Sequence, residues 1–96
     1  MNHDMKVKVK AFANFREILG KERDVEVKEG SAIYDLLDEL CSSNQKLRSA
    51  AFDESGNLRD YVIIMKNKKN IDSLDGLDTK LSEGDEVAIF PPVAGG

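Results

Sequence analysis

The chain has 96 residues, 41% of them hydrophobic and 33% charged, with 14 Lys and Arg against 18 Asp and Glu for a net charge of −4. That length suits one domain with a modest core, and the acidic balance argues against nucleic acid, whose phosphates call for a basic face. The longest apolar run, residues 61–65, falls far short of the roughly 20 residues of a membrane span, so no membrane partner is expected.

Residues 1–4 read as a disordered leader, and MNHDMKVK contains no apolar signal region. The single cysteine, Cys41, has no partner for an internal disulfide, which points to the cytoplasm. Residues 5–12 (MKVKVKAF) alternate: Val7, Val9 and Ala11 face one way and Lys6, Lys8 and Lys10 the other, the period of a half-buried strand. In ANFREILG, Phe15, Ile18 and Leu19 fall at helical spacing before Gly20, with room for one or two turns. Residues 24–28 (DVEVK) alternate again, and Glu29 and Gly30 supply a turn, so the first two strands form a hairpin.

Ser31 is a good N-cap. Ile33, Leu36, Leu37, Leu40 and Cys41 then recur at three- and four-residue intervals, with Asp35, Asp38 and Glu39 on the wet side, until SSNQ ends the pattern. Leu47, Ala50, Ala51 and Phe52 are compatible with further helix, while DESGN reads as a turn. Residues 61–66 (YVIIMK) are apolar on both parities, as expected of a central strand covered on each side. Asn67, Lys68, Lys69 and Asn70 form a tight turn whose asparagines can take positive φ, leading into a short strand at Asn70 and Ile71. LDGLDTKLSEGDE is loop with one helical turn near residues 78–81. Residues 86–90 (EVAIF) form the last strand, and Pro91 ends it because proline cannot donate a ladder hydrogen bond.

This order predicts an α+β fold over residues 5–90, a mixed sheet of about five strands with one main helix across it and the first and last strands parallel. That is the β-grasp arrangement. Its core should contain Leu36, Leu37 and Leu40 with Val7, Val9, Val25, Val27, Ile64, Val87 and Ile89.

No phosphate loop, dinucleotide fingerprint or HExxH occurs, so neither catalytic residues nor a metal site is expected. His3 lies in the leader, and Cys41, on the apolar stripe, reads as a small core hydrophobe. The tail, residues 91–96 (PPVAGG), is different: a terminal Gly-Gly arises by chance in about one chain in 200. Pro91 and Pro92 hold the chain extended, and the tail spans about 20 Å at roughly 3.3 Å per residue. Val93 and Ala94 offer small apolar contacts, and Gly95 and Gly96, without Cβ atoms, can thread a channel too narrow for other residues. The α-carboxylate of Gly96, with a pKa of about 3.5, is ionised at neutral pH and a poor acyl donor. Adenylation with ATP by another enzyme would activate it, for transfer to sulfur as a thiocarboxylate or to an amine as an isopeptide. Phe90, Pro91, Pro92 and Val93, with Phe12 at the end of the first strand, are expected to form an exposed apolar docking patch. Glu83, Asp85 and Glu86 should add an acidic rim suited to a basic partner.

Residues 74–96 (LDGLDTKLSEGDEVAIFPPVAGG) closely resemble the C-terminal region of the molybdopterin synthase small subunit, MoaD. VKVKAFANFREILGK, residues 7–21, resembles that family's first strand and turn, and SAIYDLLDEL its helix. Archaeal small modifier proteins share the pattern, as does, more distantly, the thiamine sulfur carrier ThiS, which usually lacks much of the equivalent of residues 41–60. The resemblance implies a β-grasp fold, adenylation by a ubiquitin-activating-type adenylyltransferase that uses ATP, magnesium and a structural zinc, and a thiocarboxylate on Gly96. It further implies insertion of the tail into the large synthase subunit, which builds the dithiolene of molybdopterin, so that this chain alone is a carrier with no cofactor of its own. The alternatives it carries are a protein modifier joined to target lysines through Gly96, and a sulfur carrier for thiamine or tRNA thiolation. One departure is the turn Asn67, Lys68, Lys69, Asn70 where the family's hairpin is usually closed by Asn-Gly.

Overall fold

The computed structural model describes residues 4–60 and 62–90. The expectations for His3 and the rest of the leader up to it, for Tyr61 and for the tail, residues 91–96, lie outside these.

Strand β1 (Asp4–Ala11) pairs antiparallel with β2 (Glu22–Lys28), Val7 opposite Val25 and Lys8 opposite Asp24. On its other side β1 pairs parallel with β5 (Glu86–Phe90), Val9 opposite Val87. Strand β3 (Ile63–Lys66) lies antiparallel to β5, and β4 (Lys69–Asn70) closes the far edge, for an order β2-β1-β5-β3-β4. This is the mixed β-grasp sheet, with its two outermost chain segments parallel at the centre. Helices α1 (Asn14–Leu19), α2 (Ile33–Ser42) and α3 (Gln45–Ala51) join the strands.

The alternation in β1 decides which face is covered. Met5, Val7, Val9 and Ala11 are buried in one core with Val87 and Ile89 of β5, Ile64 of β3 and the α2 stripe of Ile33, Leu36, Leu37, Leu40 and Cys41. Val25 is the exception among the expected core residues: it is half-buried, because β2 is an edge strand. On the opposite face the three lysines are not merely solvated. Lys6, Lys8 and Lys10 stand directly opposite Glu26, Asp24 and Glu22, cross-strand pairs of opposite charge that favour this register.

Three local expectations need correction, and the stretch after SSNQ, compatible with further helix, takes a definite form. Ser31 does not cap α2; its N–H donates to the Lys28 carbonyl (3.0 Å) and its carbonyl accepts from Leu81 (2.9 Å), so its backbone is held in a strap. The helix starts one residue later, with Ala32 as N-cap and its N–H donating to the Asp35 carboxylate at 2.8 Å. The helical pattern beyond SSNQ is a separate helix, α3, begun by Asn44, whose side-chain oxygen accepts from the Leu47 N–H at 3.2 Å. The turn near residues 78–81 is replaced by 3-10 turns at Ile71–Ser73 and Gly76–Asp78, since Lys80 bridges to Ala32 and Leu81 bonds to Ser31. In the β3–β4 hairpin the positive φ values fall on Asn67 (50°) and Lys68 (72°), while Asn70 has φ −63°. Two consecutive positive-φ residues make the primed turn that suits strand twist, and Lys68 occupies the place where glycine is preferred.

Candidate functional site

Phe12 and Phe90 are far apart in sequence, and the parallel β1–β5 pairing brings them together. Phe12 follows β1, its N–H donating to the Ile89 carbonyl at 3.2 Å. Its ring stacks on that of Phe90 with centroids 4.5 Å apart and planes 7° from parallel. Both rings are half-buried, and they lie on the face opposite the helices, since Phe12 continues the lysine parity of β1.

The same face carries three residues that sequence reasoning left out. Ile63 stands opposite Phe90 and Met65 opposite Ala88, and all three of Ile63, Met65 and Ala88 are half-buried. The signal was the double apolar parity of YVIIMK, read as a strand covered on both sides. Among the described residues of that stretch only Val62 and Ile64 are buried; Ile63 and Met65 widen an apolar patch at the end of β5, beside the point where the tail begins.

Phe12 owes its placement to a tight corner. The Phe15 N–H donates back to the Phe12 carbonyl (3.1 Å) and the Arg16 N–H to the Ala13 carbonyl (2.9 Å). Ala13, between them, has φ 53° and ψ −127°, a backbone region that side-chain-bearing residues rarely adopt. Phe15, wholly buried, anchors the corner to the core and leaves Phe12 against Phe90.

The charges around the patch differ from the expected acidic rim. Lys10, Arg16 and Lys21 line a groove of about 300 Å³ together with Phe12, with Glu22 as its acid. Glu86 is engaged by Lys10, Oε1 to Nζ 2.6 Å. The hydrogen bond from Lys10 holds the Glu86 carboxyl below its ordinary pKa, and the bond to Glu86 raises that of Lys10. Asp85 is buried at 8% exposure and is structural: its carboxylate accepts from the Ser82 N–H (2.8 Å) and the Asn67 side-chain amide (2.9 Å), with Lys66 Nζ at 3.7 Å. Glu83 accepts from the Lys6 N–H at 3.1 Å, by the start of β5 and away from Phe90.

Elsewhere the chemistry is sparse. Cys41 is buried among the α2 stripe, and burial pushes its thiol up from the ordinary value, which keeps it protonated and inert at neutral pH. Asp35 and Asp38, read as wet-side residues, are exposed, one capping α2 and the other paired with Arg48 at 3.5 Å. Among the described residues no cluster of three His, Cys, Asp or Glu is arranged to hold a metal, and no helix is long and apolar enough to cross a membrane.

Known proteins share both the fold and the tail-bearing end. Small archaeal modifier protein 3 of Haloferax volcanii is 34% identical over 93 residues, covering 96% of this chain and all of that protein. The molybdopterin synthase sulfur carrier subunit of Drosophila erecta is 38% identical over 101 residues, covering both chains in full. The solution structure of small archaeal modifier protein 1 from Methanosarcina acetivorans superposes with a TM-score of 0.82 at 38% identity, over 98% of this chain and 99% of that one. The model of the ThiS family matches residues 9–96, a span that takes in both halves of the aromatic stack and the tail beyond it, and the chain belongs to that family.

Proposed function

We propose that this chain is a ubiquitin-like sulfur carrier that donates sulfur in molybdopterin biosynthesis, with the carboxylate of Gly96 as its reactive group. The stacked Phe12–Phe90 pair at the end of β5 carries the reading, because it places an apolar platform at the last residue before the tail sequence. A partner that grips the platform fixes where the carboxylate arrives, the positioning on which transfer chemistry depends. The relative named as a sulfur carrier subunit supports the same view.

The chemistry is assigned to an ATP-dependent, ubiquitin-activating-type enzyme that supplies the nucleotide and magnesium. A Gly96 carboxylate oxygen attacks the α-phosphorus of ATP and pyrophosphate leaves. A reduced sulfur nucleophile then adds to the acyl carbon and expels AMP, leaving the thiocarboxylate. The large synthase subunit takes the sulfur, so the chain is substrate and subunit in turn and contributes no catalytic side chain. Gly95, Ala94 and Val93 are the threading segment, and Phe90, Pro91, Pro92 and Phe12 the docking residues, to which Ile63 and Met65 are added. With Arg16 and Lys21 beside Phe12, the partner surface we propose is acidic around an apolar centre, where the sequence suggested a basic one.

A second reading shares every step up to the adenylate. If a lysine amine expels AMP, the product is an isopeptide and the chain is a protein modifier; the relatives named small archaeal modifier proteins favour it. The test common to both is ATP–pyrophosphate exchange with the cognate activating enzyme. Deleting Gly95 and Gly96 should abolish exchange while thermal unfolding stays unchanged, because the carboxylate retreats by about 7 Å. Undiminished exchange by the shortened chain would refute both readings.

A further inference from the structure

Another feature of the surface lies at the other end of the sheet. A trough of about 580 Å³ runs between the β3–β4 hairpin and the loop before β5, lined by Lys66, Lys69, Lys80, Leu74, Asp75 and Thr79. Lys66 pairs with Val87, near the start of β5, whereas Phe90 ends that strand, so the trough and the aromatic platform are separated by about 10 Å of strand.

Two ammonium groups are held in place here by backbone carbonyls. Lys66 Nζ donates to the Lys80 carbonyl at 3.0 Å, and Lys80 Nζ to the Gly30 carbonyl at 3.3 Å. A carbonyl orients an ammonium without cancelling its charge. Asp85 lies 3.7 Å from Lys66, but among the described residues no carboxylate pairs with Lys69 or Lys80. In a chain of net charge −4, Lys66, Lys69 and Lys80 against the one lining carboxylate, Asp75, leave the trough basic. Leu74 in the same trough is 38% exposed, one of two large hydrophobics so open among the described residues. Cations lining a trough with an open leucine, one of the unpaired ones held by a carbonyl, match a ligand with carboxylates flanking an apolar side chain, and the trough's volume is in the range that holds one.

We infer that this trough is a second docking surface, for an extended acidic peptide segment with an apolar residue among its carboxylates. Leu74 takes the apolar side chain, while Lys69 and Lys80 take the flanking carboxylates. Because the surface stands apart from the platform, such a segment can be held while the tail is in use, and its binding does not depend on the carrier reading.

The test is an NMR titration of the full-length labelled chain with a capped peptide of central leucine flanked on each side by two acidic residues. Amide shifts should concentrate at Lys69, Leu74 and Lys80. The double variant Lys69→Glu, Lys80→Glu should weaken binding about tenfold, and raised salt should do the same. Leu74→Ser should weaken it about fivefold while leaving the salt dependence unchanged, since it removes apolar contact and not charge. A peptide with serine in place of its leucine should lose affinity to a similar degree. Equal binding of the leucine-free peptide or of polyphosphate would reduce the trough to a general anion attractor and overturn the proposal. So would shifts spread evenly over Lys6 and Lys8, or self-association of the chain through the same residues, which would make a second copy the occupant.

Discussion

Ala13 occupies a backbone conformation that glycine adopts freely and alanine does not, at φ 53° and ψ −127°. Such a residue stores of order 1–3 kcal/mol, and it persists because Phe15 is buried on one side and Phe12 is stacked on the other. Ala13→Gly relieves the strain but adds freedom to the unfolded chain, so a net gain of about 1 kcal/mol is expected in chemical denaturation. The Phe12–Phe90 contact should survive, visible as ring-to-ring NMR contacts. Asp85 is the opposite case, a charge that sequence reasoning placed on a rim and that the fold uses inside. It ties the start of β5 to the β3–β4 turn through Asn67 and to its own loop through Ser82. Asp85→Ala should destabilise by about 2–3 kcal/mol, the scale of losing hydrogen bonds to a buried charge, measured by denaturant unfolding. A loss under half of that would return Asp85 to the surface role.

Between elements, the parallel β1–β5 contact carries an ion pair whose titration is readable. Lys10 and Glu86 keep 40% and 30% of their side-chain surface open, so the pair adds little stability, but its direction is fixed. Glu86 has its carboxyl held down by the Lys10 hydrogen bond. The pair's contribution is therefore present above the ordinary glutamate pKa and fades as pH falls through the lower value in the folded chain. At the alkaline end Lys10, whose pKa is raised, contributes below its ordinary value and loses that contribution as pH climbs through the raised one. In Lys10→Met the Glu86 carboxyl should titrate at higher pH than in the parent, by NMR of its carboxyl carbon. An unchanged titration would remove the pair. The strand pattern was legible because β1, α2 and β5 each present one apolar parity or stripe to a single core. What the pattern could not give were the elements set by distant backbone: Ser31 is drawn off its helix by Leu81, and the loop near residue 80 is drawn onto Ala32. YVIIMK misled for a related reason. An apolar side chain facing a partner and one facing the core look alike in sequence.

At the scale of the whole molecule the sheet carries a distinct surface feature at each end. One gathers Phe12, Phe90, Ile63 and Met65 next to the tail; the other holds the basic trough around Leu74. The proposed reactive end rests on composition, two prolines before two terminal glycines, and lies outside the described residues. The platform it departs from was only half legible: Phe12 and Phe90 were expected to meet, whereas the cations beside them were not, since Arg16 and Lys21 belong to the connection between β1 and β2. The central claim is that Gly96 carries sulfur, and its most direct test is the mass of the protein recovered from its own cells. A population in which one sulfur replaces one oxygen, located to the C-terminal peptide and absent when Gly96 is deleted, is the predicted result. Recovery of the carboxylate form alone from cells actively making molybdopterin would contradict it.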